Sequence, residues 1–183
     1  GATLDLNGHN FDVTDLAGSG NYVRGGATVT VDNDTTTAFA GAFTGGGSTD
    51  SGSLTKIGSG TLSLLGTSAY TGITAVNGGT VQIAGSLTTG GLGVGRATGG
   101  VTASVLVSGE GAAVLIENGS PSFITVGDSA GSTGTLTVED GGLVSLRFGG
   151  QLTVGSDDAA GTLNLDSGGT LQVGGTDGIR KSS

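Results

Sequence analysis

Short stretches in which apolar and polar residues alternate run along the chain, separated by turns rich in glycine, serine, asparagine and aspartate. Alternation with a period of two predicts β-strands with one buried face, because successive side chains of a strand point to opposite sides. No stretch shows a sustained apolar period of 3.6 residues, so we predict essentially no helix. Strands this short are unstable as free hairpins, and turns this tight leave no room for crossover helices.

Three copies of one motif, apolar-x-Val-Gly, indicate an internal repeat in the second half of the chain. The copies lie at 92–95, 124–127 and 152–155, and each is followed by two further short strands. Val126 and Val154 are 28 residues apart, and Leu136 and Leu163 are 27 residues apart, whereas the first copy precedes the second by 32 residues. Such a period is typical of solenoids, in which each unit buries its apolar residues against its neighbours.

The alternation also predicts which side chains are buried. Leu136 and Val138 should face the interior, as should Leu163 and Leu165, with the threonine or asparagine between each pair on the opposite face. Coils stacked about 4.8 Å apart would then have an aliphatic column inside and ladders of Thr, Asn and Asp outside. At roughly 20–25 residues per coil, the chain forms about seven to nine coils and a rod on the order of 35–45 Å long.

Residues 54–83 contain four predicted strands and the most distinctive sequence of the chain. They read LTKIGSGTLSL at 54–64, YTG at 70–72 and VNGGTV at 76–81. Together these residues resemble the passenger-associated transport repeat of bacterial autotransporters. The preceding FAGAF at 39–43 is similar to the residues that lead into that repeat, and Ile73 departs from it. The three later copies resemble the short repeat shared by autotransporter passengers and some exported bacterial surface proteins.

The resemblance implies an all-β fold, a right-handed parallel β-helix formed by residues 1–183 as a single segment of a longer passenger. Residues 1–38 are expected to form leading coils, 39–83 the passenger-associated repeat and 84–178 three further repeats. We expect 179–183 to be a tail, native or added.

The resemblance also implies a function. The chain would be a non-catalytic structural segment of an autotransporter passenger, exported by type V secretion through the outer membrane of a Gram-negative bacterium. It would support secretion and folding and present a surface for adhesion or self-association, in a protein connected with virulence. The expected partner is a host surface or matrix component, or the same protein on neighbouring cells. The parent protein would be anchored by a C-terminal β-barrel, with no membrane contact by this segment itself.

Composition narrows the chemistry. The net charge of −9 and only six basic residues argue against nucleic acid, which requires clustered Lys and Arg. There is no cysteine for a disulfide or a thiolate zinc site, and His9 is the single histidine, which excludes a two-histidine metal site within this sequence. We therefore expect no cofactor and no metal. The 41 glycines show no Gly-X-Y period, so the chain is not collagen.

The alternative function is that of a polysaccharide-active β-helix enzyme, a hydrolase or a lyase. A hydrolase needs two carboxylates at a fixed separation. The acidic pairs are Asp12 with Asp15, Asp32 with Asp34, and Asp157 with Asp158. We interpret them as turn residues, since aspartate in a turn binds its own backbone; a Ca²⁺ ion at 32–34 remains the open alternative. For a lyase, Arg96 or Arg147 could be the base, but no acidic cluster lies near either, so we predict no catalytic residue.

Candidate contact residues are few. Tyr22 lies in a glycine-rich, loop-like stretch with Arg24, and Arg147 lies beside Phe148 after a predicted strand. We predict a contact surface at Tyr22, Arg24 and Arg147. Tyr70 falls inside the repeat motif and is predicted to pack inside the fold. Phe39 and Phe43 are also expected in the interior, and the glycines at 91–95 are interpreted as structural, since no phosphate-binding lysine or helix follows them.

Overall fold

The computed structural model describes residues 1–44, 51–117, 122–147, 149–156 and 158–174, together with the backbone of 179 and 180. Within these residues the chain forms 22 short strands and no helix. No helix in this part of the chain could therefore cross a bilayer. The prediction of an all-β chain with essentially no helix is confirmed.

The strands are two to seven residues long and are separated by tight turns. They are β1 Thr3–Asp5, β2 Phe11–Val13, β3 Asn21–Val23, β4 Val29–Asp32, β5 Thr36–Phe39, β6 Phe43–Thr44, β7 Leu54–Ile57, β8 Thr61–Leu64, β9 Thr67–Ala69, β10 Ile73–Val76, β11 Gly79–Ile83, β12 Ser86–Thr89, β13 Gly91–Val94, β14 Thr102–Ser108, β15 Ala113–Ile116, β16 Phe123–Val126, β17 Thr133–Glu139, β18 Leu143–Leu146, β19 Gln151–Val154, β20 Ala160–Leu165, β21 Thr170–Val173 and β22 Ile179–Arg180.

The strands form three sheets, in each of which all neighbours are parallel. Sheet A has the order β1-β3-β6-β9-β12-β15-β18-β21, sheet B the order β2-β4-β7-β10-β13-β16-β19-β22, and sheet C the order β20-β17-β14-β11-β8-β5. From β7 onward the chain visits B, C and A in turn before it returns to B one coil further along. This is a parallel β-helix of about seven coils, as predicted; its right hand remains what the resemblance implies.

The register confirms the repeat that the sequence predicts. In sheet B, Val94 pairs with Val126 and Val126 with Val154. In sheet C, Leu136 pairs with Leu163. The four extra residues between the first and second copies are spread over all three corners, since 95–101, 109–112 and 117–122 are each longer than their counterparts 127–132, 140–142 and 147–150 in the next coil. The strands therefore stay aligned while the corners vary.

The interior is a set of apolar columns that run along the helix axis. In sheet C, Leu62, Val81, Val105 and Leu136 stack and are at most 2% exposed. Leu165 was also expected inside, and it does pair with the buried Val138, but it is 50% exposed. The reason is that β20 is the edge strand of its sheet, so no described strand covers it.

Two parts of the sequence-based assignment need correction. Tyr22 lies in strand β3 and not in a loop, because β1 and β6 pair with β3 from both sides. Strands β9 and β12 lack the apolar alternation that predicts a strand, and they form because stacking on neighbouring coils satisfies their backbone. The loop expected at 44–53 lies mostly outside the described residues.

Candidate functional site

A lysine occupies one inward position of the valine column in sheet B. Lys56 pairs with Val31 on one side and Val76 on the other, and its side chain is 0% exposed. Its ammonium donates to the backbone carbonyls of Gly58 at 3.0 Å and Gly78 at 3.3 Å, and also to that of Ile57. The long side chain thus carries the charge from the column to the nearest corner, where carbonyl groups of two successive coils meet.

Burial and two nearby carboxylates act in opposite directions on the charge of Lys56. Burial lowers the pKa of the Lys56 ammonium, and the nearby carboxylates of Asp32 and Asp34 partly oppose this because they favour the charged form. Since the ammonium is covered on all sides and held by carbonyls, no substrate can reach it. Lys56 therefore serves packing and not surface chemistry.

A second polar group in the interior is built around Tyr70. Its hydroxyl lies 2.7 Å from that of Thr74, which donates to the hydroxyl of Thr89 at 3.1 Å. The guanidinium carbon of Arg24 lies 4.0 Å from the centre of the Tyr70 ring, a cation–π contact. Burial raises the pKa of Tyr70 to about 12. The prediction that Tyr70 packs inside the fold is confirmed.

An aromatic cluster fills the interior of the leading coils. Phe39 and Phe43 are almost fully buried, with ring centres 5.0 Å apart. Tyr22 is half-buried against them, at 5.5 Å from Phe39 and 5.7 Å from Phe43. The predicted interior positions of Phe39 and Phe43 are confirmed, and Tyr22 is part of the same packing.

The structure does not bring the three predicted contact residues together on one surface. Arg24 is 0% exposed, so the expectation that its side chain lies at a contact surface is corrected: the Tyr70 ring holds it in the interior. The Arg147 side chain is 57% exposed and forms an ion pair of 3.1 Å with Glu117. Phe148 lies outside the described residues. Contact of Tyr22 or Arg147 with a partner stays a prediction.

The acidic residues that the structure describes include clear turn acceptors. The Asp34 carboxylate accepts hydrogen bonds from the backbone N–H and the hydroxyl of Ser59, both at 2.9 Å, and these bonds lower the pKa of Asp34. Asp15 accepts from the hydroxyl of Thr35 at 3.0 Å. No group of three or more His, Asp or Glu side chains in the described ranges could hold a metal ion. Asp157 is not among the described residues.

The glycines of the 91–95 stretch have a packing reason. A Cβ at Gly91 would lie 2.6 Å from the Phe123 ring, and one at Gly93 would overlap the Arg96 side chain. Arg96 in turn pairs with Asp128 at 2.9 Å and stacks over Phe123. This engagement also leaves Arg96 poorly placed to act as the base of a lyase.

The outer face of sheet C carries a long column of hydroxyl groups in register. One outward column consists of Thr36, Thr61, Thr80, Ser104, Thr135 and Thr162. A groove of about 420 Å³ lies at its margin, between the short corners at 58–60 and 77–78 and the start of β14. None of the residues that line this groove is charged.

Sequence reasoning missed the buried cations and the groove. The alternation of Lys56 with Leu54 could have indicated that Lys56 points inward. Its carbonyl partners, however, come from the corners of two different coils, and the sequence does not show that these corners meet. The groove depends on the relative length of neighbouring corners, which requires the register.

Comparison with known proteins gives one match. Residues 54–83 match the family model described as the passenger-associated-transport-repeat. These residues are the segment from β7 to β11, so the matched repeat is one full coil and the first two strands of the next. None of the curated proteins and none of the solved structures compared matches the chain. The predicted resemblance is confirmed for residues 54–83, whereas the assignments of 1–53 and 84–183 stay predictions.

Proposed function

We propose that this chain is a non-catalytic segment of an autotransporter passenger, which acts at the cell surface or in the medium after export. The observation that carries the proposal is the position of the matched repeat, residues 54–83, in the middle of a continuous parallel β-helix. The repeat is not a separate unit, because its strands pair with the preceding coil through β4 and with the following coil through β13 and β14.

A parallel β-helix suits progressive folding during export. Each strand pairs only with its equivalents in the coils before and after it, so each coil that emerges can bury its apolar residues on the coil already formed. The free energy of that burial would oppose return of the chain. The absence of cysteine in the sequence agrees with this role, since no disulfide has to form or be avoided in transit.

We propose adhesion or self-association as the role of the exposed faces. Partners would be a host surface or matrix component, or the same protein on neighbouring cells. The runner-up, a polysaccharide-active enzyme, would need two carboxylates in one groove. The Asp34 carboxylate at the end of the groove beside sheet C is held by two hydrogen bonds from Ser59, which favours the non-catalytic role.

Replacement of coils in the parent protein tests the proposal on whole cells. Residues 1–178 are replaced by an equal number of coils from elsewhere in its passenger, and surface display and attachment to matrix and sister cells are measured. We expect display to persist, because any well-stacked coils can propagate folding. Persistence of attachment would assign this segment a spacer role, and its loss would place the binding face here.

A deletion that disrupts the stacking of coils is the matched control for the proposed role in export. Deletion of residues 123–136 removes half a coil and would place a sheet C strand in sheet B. We expect this deletion to reduce display strongly. Normal display of the deletion variant would show that export does not depend on stacking of these coils, and the proposed role would be wrong.

A further inference from the structure

The groove beside sheet C is formed by a step in length between neighbouring corners. The corners that precede β8 and β11 are short, comprising residues 58–60 and 77–78, whereas the corner before β14 comprises 95–101. The end of the longer corner contributes Val101 and Thr102 to the lining, and the two shorter corners contribute Ser59 and Asn77. The result is a concave site of about 420 Å³ that crosses three successive coils.

The lining of this groove is polar, neutral and small. Hydroxyl groups come from Ser59, Thr80, Thr102 and Ser104, and an amide comes from Asn77. Hydroxyl groups both donate and accept hydrogen bonds. Glycine Cα groups and the Val101 methyl groups add apolar area between them. This mixture matches a sugar ring, which has hydroxyl groups at its edge and C–H groups on its faces.

The charges beside the groove do not favour a charged ligand. The Asp34 carboxylate is fixed at one end by its two hydrogen bonds from Ser59, and a carboxylate oxygen of Asp32 lies close to Gly58. The Lys56 ammonium lies behind the same corners, bonded to the carbonyls of Gly58 and Gly78, so it offsets part of this negative charge. A charged ligand would lose hydration without finding an exposed charge of opposite sign in the lining.

We infer that this groove binds a neutral polysaccharide. The inference rests on the proposed function, because display outside the cell is what brings the groove into contact with glycans. It names a partner class for one face of the segment. A second copy of the chain is a weaker occupant, since each chain carries a net charge of −9 and like-charged rods repel.

Affinity electrophoresis of the 183-residue chain tests this inference. Native gels contain dextran, mannan or barley β-glucan, with dextran sulfate as the anionic comparison. We expect at least one neutral polysaccharide to retard the chain and dextran sulfate not to. Ser104→Glu places a charge in the groove and is expected to weaken retardation about tenfold, because the carboxylate must be desolvated against the sugar.

Thr162→Glu is the matched control. It makes a comparable change from a hydroxyl to a carboxylate in the same outward column, two coils beyond Ser104, and should leave retardation unchanged. Thr102→Glu, at an exposed position of the groove wall, is a second groove variant in case Ser104→Glu does not fold. Circular dichroism establishes which variants retain the fold.

Three results would overturn the inference. They are no retardation by any of the three neutral polysaccharides, equal weakening by Ser104→Glu and Thr162→Glu, and a sugar-free dimer that Ser104→Glu converts to a monomer, which would make the groove an interface between copies. All are measured on the purified chain. If these results show that the groove does not bind sugar, the proposed role in display is still tested separately by the experiment on whole cells. Conversely, a failed role in display would not change sugar binding by the purified chain.

Discussion

At the scale of single residues, Lys56 is the clearest departure from an aliphatic solenoid interior. Its side chain starts from an inward position between the fully buried Val31 and Val76, and its ammonium is held by corner carbonyls. We expect Lys56→Ala to lower the free energy of unfolding by about 3 kcal/mol, since it leaves a cavity and removes a charged donor. Lys56→Met restores much of the volume, so its effect should be smaller, about 1–2 kcal/mol. Urea unfolding measures both.

The control for this prediction is a cation at the surface. Arg147→Met removes a side chain that is 57% exposed, and exposed ion pairs contribute less than about 1 kcal/mol. An effect of Lys56→Ala no larger than that of Arg147→Met would contradict the structural role of the buried ammonium.

Tyr70 gives the molecule a specific sensitivity to alkali. Because burial raises its pKa to about 12 in the folded chain, the hydroxyl stays protonated there while a tyrosine in the unfolded chain ionises near 10. The unfolded state therefore binds fewer protons between these values, and stability falls as the pH rises through them. Between pH 9 and pH 11 we expect Tyr70 to account for a loss of about 1.4 kcal/mol.

Tyr70→Phe is the test of this pH dependence. The phenylalanine variant loses the hydrogen bond to Thr74 and should be less stable at pH 8. It should nevertheless lose less stability than the parent chain between pH 9 and pH 11, as measured by urea unfolding at each pH. Parallel curves for the two proteins would show that Tyr70 does not titrate as its burial requires.

At the scale of elements, the sequence predicts most strands where apolar and polar residues alternate. The four strands expected within 54–83 are present, and the repeat offsets predict the register of the later coils. Strands β9 and β12, rich in serine and threonine, could not be predicted from alternation. They are strands because both neighbours in sheet A supply hydrogen-bond partners, and this information is not local.

The burial of the predicted contact residues also depends on information that is not local in sequence. Arg24 and Tyr22 looked like surface residues because glycines surround them in the sequence. Their burial follows from coils that lie far along the chain: Tyr70 contacts Arg24, and Phe39 and Phe43 contact Tyr22. Composition and turn signals describe a residue's neighbours in sequence, whereas burial in a solenoid is decided by neighbours one or two coils away.

At the scale of the whole molecule, stability should depend on complete coils. Deletion of residues 123–150 brings Gln151 to the position of Phe123, its partner in sheet B, and so removes one turn without a change of register. We expect this variant to fold as a β-helix with one coil fewer. Its urea unfolding should stay cooperative with a lower m value, because less surface is exposed on unfolding.

The comparison is with the half-coil deletion of residues 123–136. That variant places residues 137–140 at the positions of β16, so Asp140, which belongs to the turn after β17, falls at the buried position of Val126. It should show weaker β-sheet circular dichroism and a broad unfolding transition. Similar behaviour of the two deletions would contradict coil-by-coil stacking.

The corner between sheets B and C has a consequence for how such a protein changes over generations. It accommodates as few as two residues, 77–78, or as many as seven, 95–101, while the strands on either side remain paired. Insertions there alter the shape offered to the outside without any compensating change in the interior. Mutations in this corner can therefore change the recognition surface while the paired strands are conserved by a separate requirement for stability. The surface of the rod can thus evolve independently of its interior.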